Sequence, residues 1–305
     1  MTESISRAPE TATLSVLPVM AADGARAELQ LVEPEAGKAS RLLFWLPAMG
    51  VPARSYLPLA RELAGLGIAV ALHEWRGIGS SDRRAGWRSD WGYRELLACD
   101  LPASFASARK ALPHAACLIG GHSLGGQLAS VFASIHDDFD AVALVASGAP
   151  YWRTFPHRRR IYAAYAAAPL LAAAAGHLPG RRIGFGGNEA RGVIADWSRS
   201  GRSGRYAAEG LDADLEAALA TQRKPVLGLR FRDDWLVPAS SLAWLLDKMP
   251  AAPRTLRVVS PADPGNPVAD HFAWMKTPGA VAAAIVGWLD DDVRAVPRAS
   301  RQGLP

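Results

Sequence analysis

Residues 119–127 read IGGHSLGGQ, so Ser123 lies between Gly121 and Gly125, with Gly120 and Gly126 outside them. A serine hydroxyl becomes a useful nucleophile when a base takes its proton and a further group orients that base. Residue types able to do both stand downstream. His271 lies in SPADPGNPVADHF, and the carboxylates Asp233, Asp234 and Asp270 lie in RDDWLVP and ADH. Such a set could attack a carbonyl carbon, hold the acyl group on the serine, and pass it to water. The G-x-S-x-G pattern is weak alone, because a chain with 28 glycines produces it by chance. The neighbouring elements decide whether it counts.

AACLIG (115–120) reads as a strand and LGGQLASVFASI (124–135) as a helix, which puts Ser123 on a strand–turn–helix junction. There, Gly121 and Gly125 remove side chains that would collide with the adjoining strand and helix. The helix start supplies positive potential and free N–H groups, with the Leu124 N–H as one oxyanion donor. The same alternation runs along the chain. Strands are expected at 27–34, 41–47, 68–75, 141–147, 225–231 and 255–260. Helices are expected at 56–67, 91–112 (bent at Pro102), 240–249 and 279–292. RLLFWLP at 41–47 is apolar throughout, as in a strand buried on both faces. The pattern predicts an α/β fold, a mostly parallel sheet with helices on both faces.

Residues 150–218 break this rhythm. They are rich in arginine, glycine and tryptophan and show no clear strand, so they read as a lid or cap inserted into a core of 1–149 and 219–305. Within the insertion, IYAAYAAAPLLAAAAGHL (161–178) predicts two short helices joined at Pro169 rather than a transmembrane segment. The tail 293–305 lacks apolar periodicity and is expected to be mobile.

The 305 residues are 50% hydrophobic and 21% charged, which places the chain among globular proteins with a large core. The net charge of +5 comes from scattered arginines, with small clusters at 158–160 and 181–182. No zinc-finger spacing or aromatic–basic pattern accompanies them, which argues against a nucleic-acid partner. Cys99 and Cys117 fit neither a metal spacing nor a disulfide framework and are expected to pack in a reducing compartment. The N-terminus shows no secretory signal, so a cytoplasmic location is expected.

LPAMG (46–50), EWRGIGSSD (74–82), GHSLGG (121–126), DDWLVP (233–238) and DH (270–271) together resemble the α/β-hydrolase fold family over nearly the whole chain. FWLPAMGVPARSY and GFGGNEARGVIADW are most similar to poorly characterised bacterial members with a compact lid. The resemblance implies the chain order serine, acid, histidine. His271 is the only histidine after His177 and stands where the base is required. The family acid commonly precedes a proline at the fourth following position, which favours Asp234, with Pro238, over Asp233. Asp270 is a weaker candidate, and His122 is assigned to packing or hydrogen bonding. Where family members usually begin a loop with His-Gly, this chain has Leu46-Pro47. Pro47 has no N–H, so the second oxyanion donor is expected at Ala48, with Met49 as the alternative.

Tyr151, Trp152, Trp197, Trp235 and Trp274 lie in the insertion or near these loops. Ordinary burial accounts for aromatics of this kind; the functional reading is an apolar wall for a substrate. The resulting expectation is a serine hydrolase acting on an ester, thioester or related acyl compound of small size, with no metal or organic cofactor. An acyltransferase with the same triad, or a binding protein on a hydrolase scaffold, are the alternatives.

Overall fold

A computed structural model of the chain describes residues 12–35, 39–260 and 270–293. The expected mobile tail lies outside these beyond Val293, as does most of the loop that precedes His271. Strands β1 (Ala12–Met20), β2 (Arg26–Pro34), β3 (Arg41–Leu46), β4 (Ile68–Leu72), β5 (Ala116–His122), β6 (Ala141–Val145), β9 (Val226–Phe231) and β10 (Arg254–Val259) form one eight-stranded sheet. Its order is β1-β2-β4-β3-β5-β6-β9-β10. The first two strands run antiparallel to each other and β2 is antiparallel to β4; the rest is parallel. The expected α/β architecture is therefore present.

The apolar runs explain the layering. In β3, Leu42, Phe44 and Leu46 enter one core and Leu43 and Trp45 the other. β4 divides in the same way, Ala69 and Ala71 against Ile68, Val70 and Leu72. Side chains alternate along a strand, so a strand covered on both faces must be apolar at every position. The covers are α1 (Leu57–Gly65), the turn α2 (Tyr93–Glu95) leading into α3 (Leu101–Ala111), α4 (Leu124–Ile135), α8 (Leu215–Thr221), α9 (Ala239–Asp247) and α10 (Gly279–Trp288). Pro102 stands just after a π-helical turn at Leu96–Asp100, the irregularity by which the continuous helical run accommodates the missing N–H.

Three features depart from the sequence reading. β1 is a nine-residue strand that its half-exposed, weakly alternating residues did not announce. The alanine-rich stretch is one helix, α5 (Arg158–Ala175), continuous through Pro169. Proline removes one intrahelical bond, but the surrounding alanines carry the highest helix propensity and hold the helix together across it. Residues 150–218 also contain a two-residue ladder, β7 (Leu178–Pro179) with β8 (Asn188–Glu189), which encloses the turn α6 (Gly180–Ile183) and is followed by helix α7 (Arg191–Ser203).

Helix α7 is tied to residues 91–93 by hydrogen bonds. The Val193 N–H donates to Trp91 O at 2.9 Å, and the Tyr93 N–H donates to Asp196 Oδ2 at 2.8 Å. A methyl at Gly192 would sit 2.5 Å from Trp91 O, so neither chain could move back to make room without losing these bonds. At the far side of the core, Arg76 bridges Asp23, in the β1–β2 turn, and Asp100, in the π turn, at 2.6 and 3.0 Å. Arg76 and Asp100 are both buried.

β3 and β5 are neighbours in register, Leu46 opposite Gly121, so their exits lie side by side. A methyl at Gly125 would overlap the backbone oxygens of both Leu46 and Pro47. Gly125→Ala is expected to destabilise the protein by at least ~2 kcal/mol, because only backbone could yield. Gly65→Ala, in a helix and with open space around the new methyl, should be neutral or stabilise by up to ~1 kcal/mol. Urea unfolding midpoints at constant slope would check both.

Candidate active site

β5 ends at His122, α4 begins at Leu124, and the whole turn is Ser123. Its backbone angles, φ 55° and ψ −120°, belong to a region that side chains with a Cβ rarely occupy. Such strain costs of order 1–3 kcal/mol and persists only where the surroundings fix it. Here the Ser123 N–H donates to Val145 O at 3.1 Å, and the Ser123 carbonyl accepts the N–H groups of Gly126 and Gln127. A methyl on Gly121 would overlap Gly125, and one on Gly126 would overlap Ser147. The serine is thus held at a sharp bend at the carboxyl ends of the parallel strands. The Leu124 N–H, first in the helix, has no hydrogen-bond partner among the described residues.

Asp234 and His271 arrive from two further loops. Asp234 follows β9, and its N–H reaches back to Phe231 O at 3.4 Å. Its Oδ1 accepts the N–H groups of Leu236 and Val237 at 2.9 and 3.1 Å. Its Oδ2 lies 2.9 Å from His271 Nδ1, in a pair whose side chains are 0% and 6% exposed. A carboxylate already accepting two N–H bonds calls for a donor at its remaining oxygen, which fixes the proton on Nδ1 and leaves Nε2 as the basic nitrogen. The Trp274 indole donates to His271 O at 3.0 Å and holds the histidine from behind.

The competing carboxylates are employed elsewhere. Asp233 pairs with Arg232 at 3.1 Å on the surface. Asp270 Oδ1 accepts the N–H groups of Phe272 and Ala273, capping the turn after the histidine.

The loop after β3, where the second oxyanion donor is expected, is arranged differently from that expectation. The Ala48 N–H, expected as the second donor, gives its hydrogen to Tyr56 Oη at 2.9 Å. Tyr56 Oη in turn lies 2.8 Å from His122 Nδ1, so the phenol proton goes to that nitrogen. Burial raises the Tyr56 hydroxyl above its ordinary range, and burial first, then the neighbouring His271, holds His122 well below the usual histidine range. Tyr56 and neutral His122 thus form a polar prop that commits the Ala48 N–H. The Trp75 indole fixes the same loop by donating to Pro47 O at 2.8 Å. The Met49 N–H has no partner among the described residues. Nothing in the sequence announced Tyr56, a lone tyrosine just ahead of a helix.

The aromatic residues do not make a single wall. Trp274 is buried beneath the site, with its ring stacked on Phe231 and edge-on to Trp45 and His122, so its expected role in lining a substrate site is corrected to support of the histidine. Tyr151 packs between Gly204 and Trp244. Trp152 meets Tyr162, and Trp197 lies between Tyr165 and Phe185. Trp235 is 76% exposed. Among the described residues no cluster of three or more His, Cys, Asp or Glu side chains is placed to hold a metal ion, and no helix is long and apolar enough to cross a membrane.

Known structures share this architecture. An esterase of Pyrococcus furiosus, Pf2001, superposes with a TM-score of 0.58 at 14% identity, over 93% of this chain and 94% of that one. A hydrolase of Pseudomonas aeruginosa PA01 gives 0.56 at 21% identity, over 91% and 98%. The α/β hydrolase GrgF of Penicillium sp. sh18 gives 0.57 at 17%, over 91% and 97%. At these identities the likeness is one of fold. No curated protein sequence matches the chain. Residues 37–190, half the chain and spanning the oxyanion loop and the serine turn, match the model of the family described as serine aminopeptidase, S33. The chain is therefore an α/β-hydrolase enzyme belonging to that family of serine hydrolases.

Proposed function

We propose that Ser123, His271 and Asp234 form a catalytic triad that cleaves an ester, thioester or related acyl compound of small size through an acyl-enzyme. The observation that carries this reading is the buried 2.9 Å bond from His271 to an Asp234 carboxylate already saturated by two backbone N–H groups. His271 Nε2 takes the proton of Ser123 Oγ as the oxygen attacks the carbonyl carbon. The resulting oxyanion accepts from the N–H groups of Leu124 and Met49. The imidazolium then protonates the leaving group as the tetrahedral intermediate collapses, and water, deprotonated by the same nitrogen, releases the acid. Met49 replaces Ala48 in this scheme because the Ala48 N–H is committed to Tyr56. Residues 150–218 act as a cap that shapes acyl selectivity, with Trp152 and Trp197 among its apolar side chains.

A fluorophosphonate probe should label the protein once, on Ser123, and Ser123→Ala should abolish labelling without loss of fold. Mass spectrometry would check this, and label elsewhere in the variant would move the nucleophile. Asp234→Asn should lower kcat by about 10³- to 10⁴-fold, since the imidazole loses its tautomer control and countercharge. Asp233→Asn should stay close to the parent; the opposite ranking would reassign the acid. Trp152→Ala or Trp197→Ala should change preference among acyl chain lengths more than hydrolysis of an acetate ester, and equal losses on every ester would make them structural only.

A further inference from the structure

Glu189 ends the cap strand β8 and is buried, at 8% exposed. Its Oε1 accepts the Gly187 N–H at 2.8 Å. Burial pushes its carboxyl above the ordinary range, against the opposing Gly187 N–H bond and the Arg181 charge. Gly186 and Gly187 lie directly against the oxyanion loop. A methyl on Gly50 would overlap the Gly187 nitrogen. A methyl on Gly187 would stand 3.1 Å from Gly50 Cα and 2.8 Å from Glu189 Oε1, and one on Gly186 would stand 3.2 Å from Met49 Sδ.

The loop needs support on this side. Its first half is pinned, Pro47 by Trp75 and Ala48 by Tyr56. Gly50, at φ 75°, is the second central residue of a turn closed by the Val51 N–H donating to Ala48 O at 3.1 Å, and at the tip of that turn the amides of Met49 and Gly50 have no partner among the described residues. What faces Gly50 is the backbone of Gly186–Gly187, in a turn held by the Phe185 N–H donating to Gly180 O at 3.0 Å and, at Gly187 itself, by the Glu189 carboxylate.

We propose that Glu189 is a positioning residue for the oxyanion loop: through Gly187 it seats the cap turn on Met49–Gly50 and so fixes the direction of the Met49 N–H. This rests on the triad reading above. It makes the cap part of the catalytic frame as well as a selectivity element.

The test uses the full chain as Glu189→Ala, Glu189→Gln and Gly187→Ala. Three quantities are read: kcat and KM on a butyrate ester, affinity for an alkylboronic acid, which adds to the serine as a tetrahedral anion, and hydrogen–deuterium exchange at the Val51 amide. Glu189→Ala should lower kcat about tenfold to a hundredfold, less than the ~10²–10³ of losing a donor outright. KM should change less than about threefold, because the missing interaction belongs to the transition state. Boronic acid affinity should fall in parallel, and the Val51 amide, whose bond to Ala48 O closes the turn around Met49 and Gly50, should exchange faster. Gly187→Ala, which wedges the same contact from the cap side, should reproduce these effects and carries the test if Glu189→Ala does not fold. Glu189→Gln keeps an acceptor for the Gly187 N–H and should stay within about threefold of the parent. Equal losses in Glu189→Gln, a rise in KM with kcat unchanged, or unaltered exchange at Val51 would overturn the proposal. Fluorophosphonate labelling of the parent separates the two readings. An unlabelled parent defeats the triad, whereas the exchange experiment reports the cap-to-loop contact without reference to activity.

Discussion

The carbonyl oxygens of Leu46 and Pro47 press against the Cα of Gly125, and no methyl group fits between them. That approach sets the distance between the exit of β3 and the first turn of α4. The loop that follows β3 and the start of α4, where Ser123 stands, are therefore held against each other by backbone alone. The same constraint explains why the glycines cluster. Gly121 and Gly126 admit the neighbouring backbone and Ser147, and together with Gly125 they let a strand, a helix and a loop converge on one residue. The unfavourable angles of Ser123 follow from the convergence, since a smoother turn would carry the helix away from β3.

Around this point the protein uses buried polar side chains to hold backbone. Tyr56 takes the Ala48 N–H, Trp75 takes Pro47 O, Trp274 takes His271 O, and Asp234 takes two amides as well as the imidazole. Each group is satisfied by a partner that is itself fixed in the core. Hydrogen bonds of this kind in a low-dielectric setting stiffen the loops that carry Ala48, Asp234 and His271.

The fold was legible because parallel strands buried on both faces must be written as unbroken apolar runs. RLLFWL, IAVAL and AVALV announced themselves, and the serine turn followed from a strand and a helix separated by one residue. Pairing Asp234 with His271 across the loops came from resemblance, and the local bonds of Asp233 and Asp270 show why their neighbours in sequence are differently employed. Less was legible where the outcome depends on tertiary contacts. Helix α5 runs through Pro169 because its alanines outweigh one lost bond, and β1 forms because β2 offers it an edge. The commitment of the Ala48 N–H depends on a tyrosine eight residues away that no local pattern links to it.

The antiparallel hairpin of β1 and β2 joins the parallel sheet through the short pairing of Gln30–Val32 with Val70–Leu72, and bonds from Arg26 and Glu28 to Asp82 and Ser80 extend the attachment. The Asp23–Arg76–Asp100 bridge adds a second attachment, from the hairpin turn to the segment that leaves β4. β4 would otherwise be the outermost parallel strand, apolar on both faces and bare along one side, a template for pairing with a second molecule. The hairpin thus covers the edge that β4 would otherwise present. Its own outer strand, with Leu14, Val16 and Met20 exposed, moves the open edge to a strand that is covered on only one face. Shortening the protein from the front would free the β4 edge and leave the Arg76 guanidinium facing Asp100 alone.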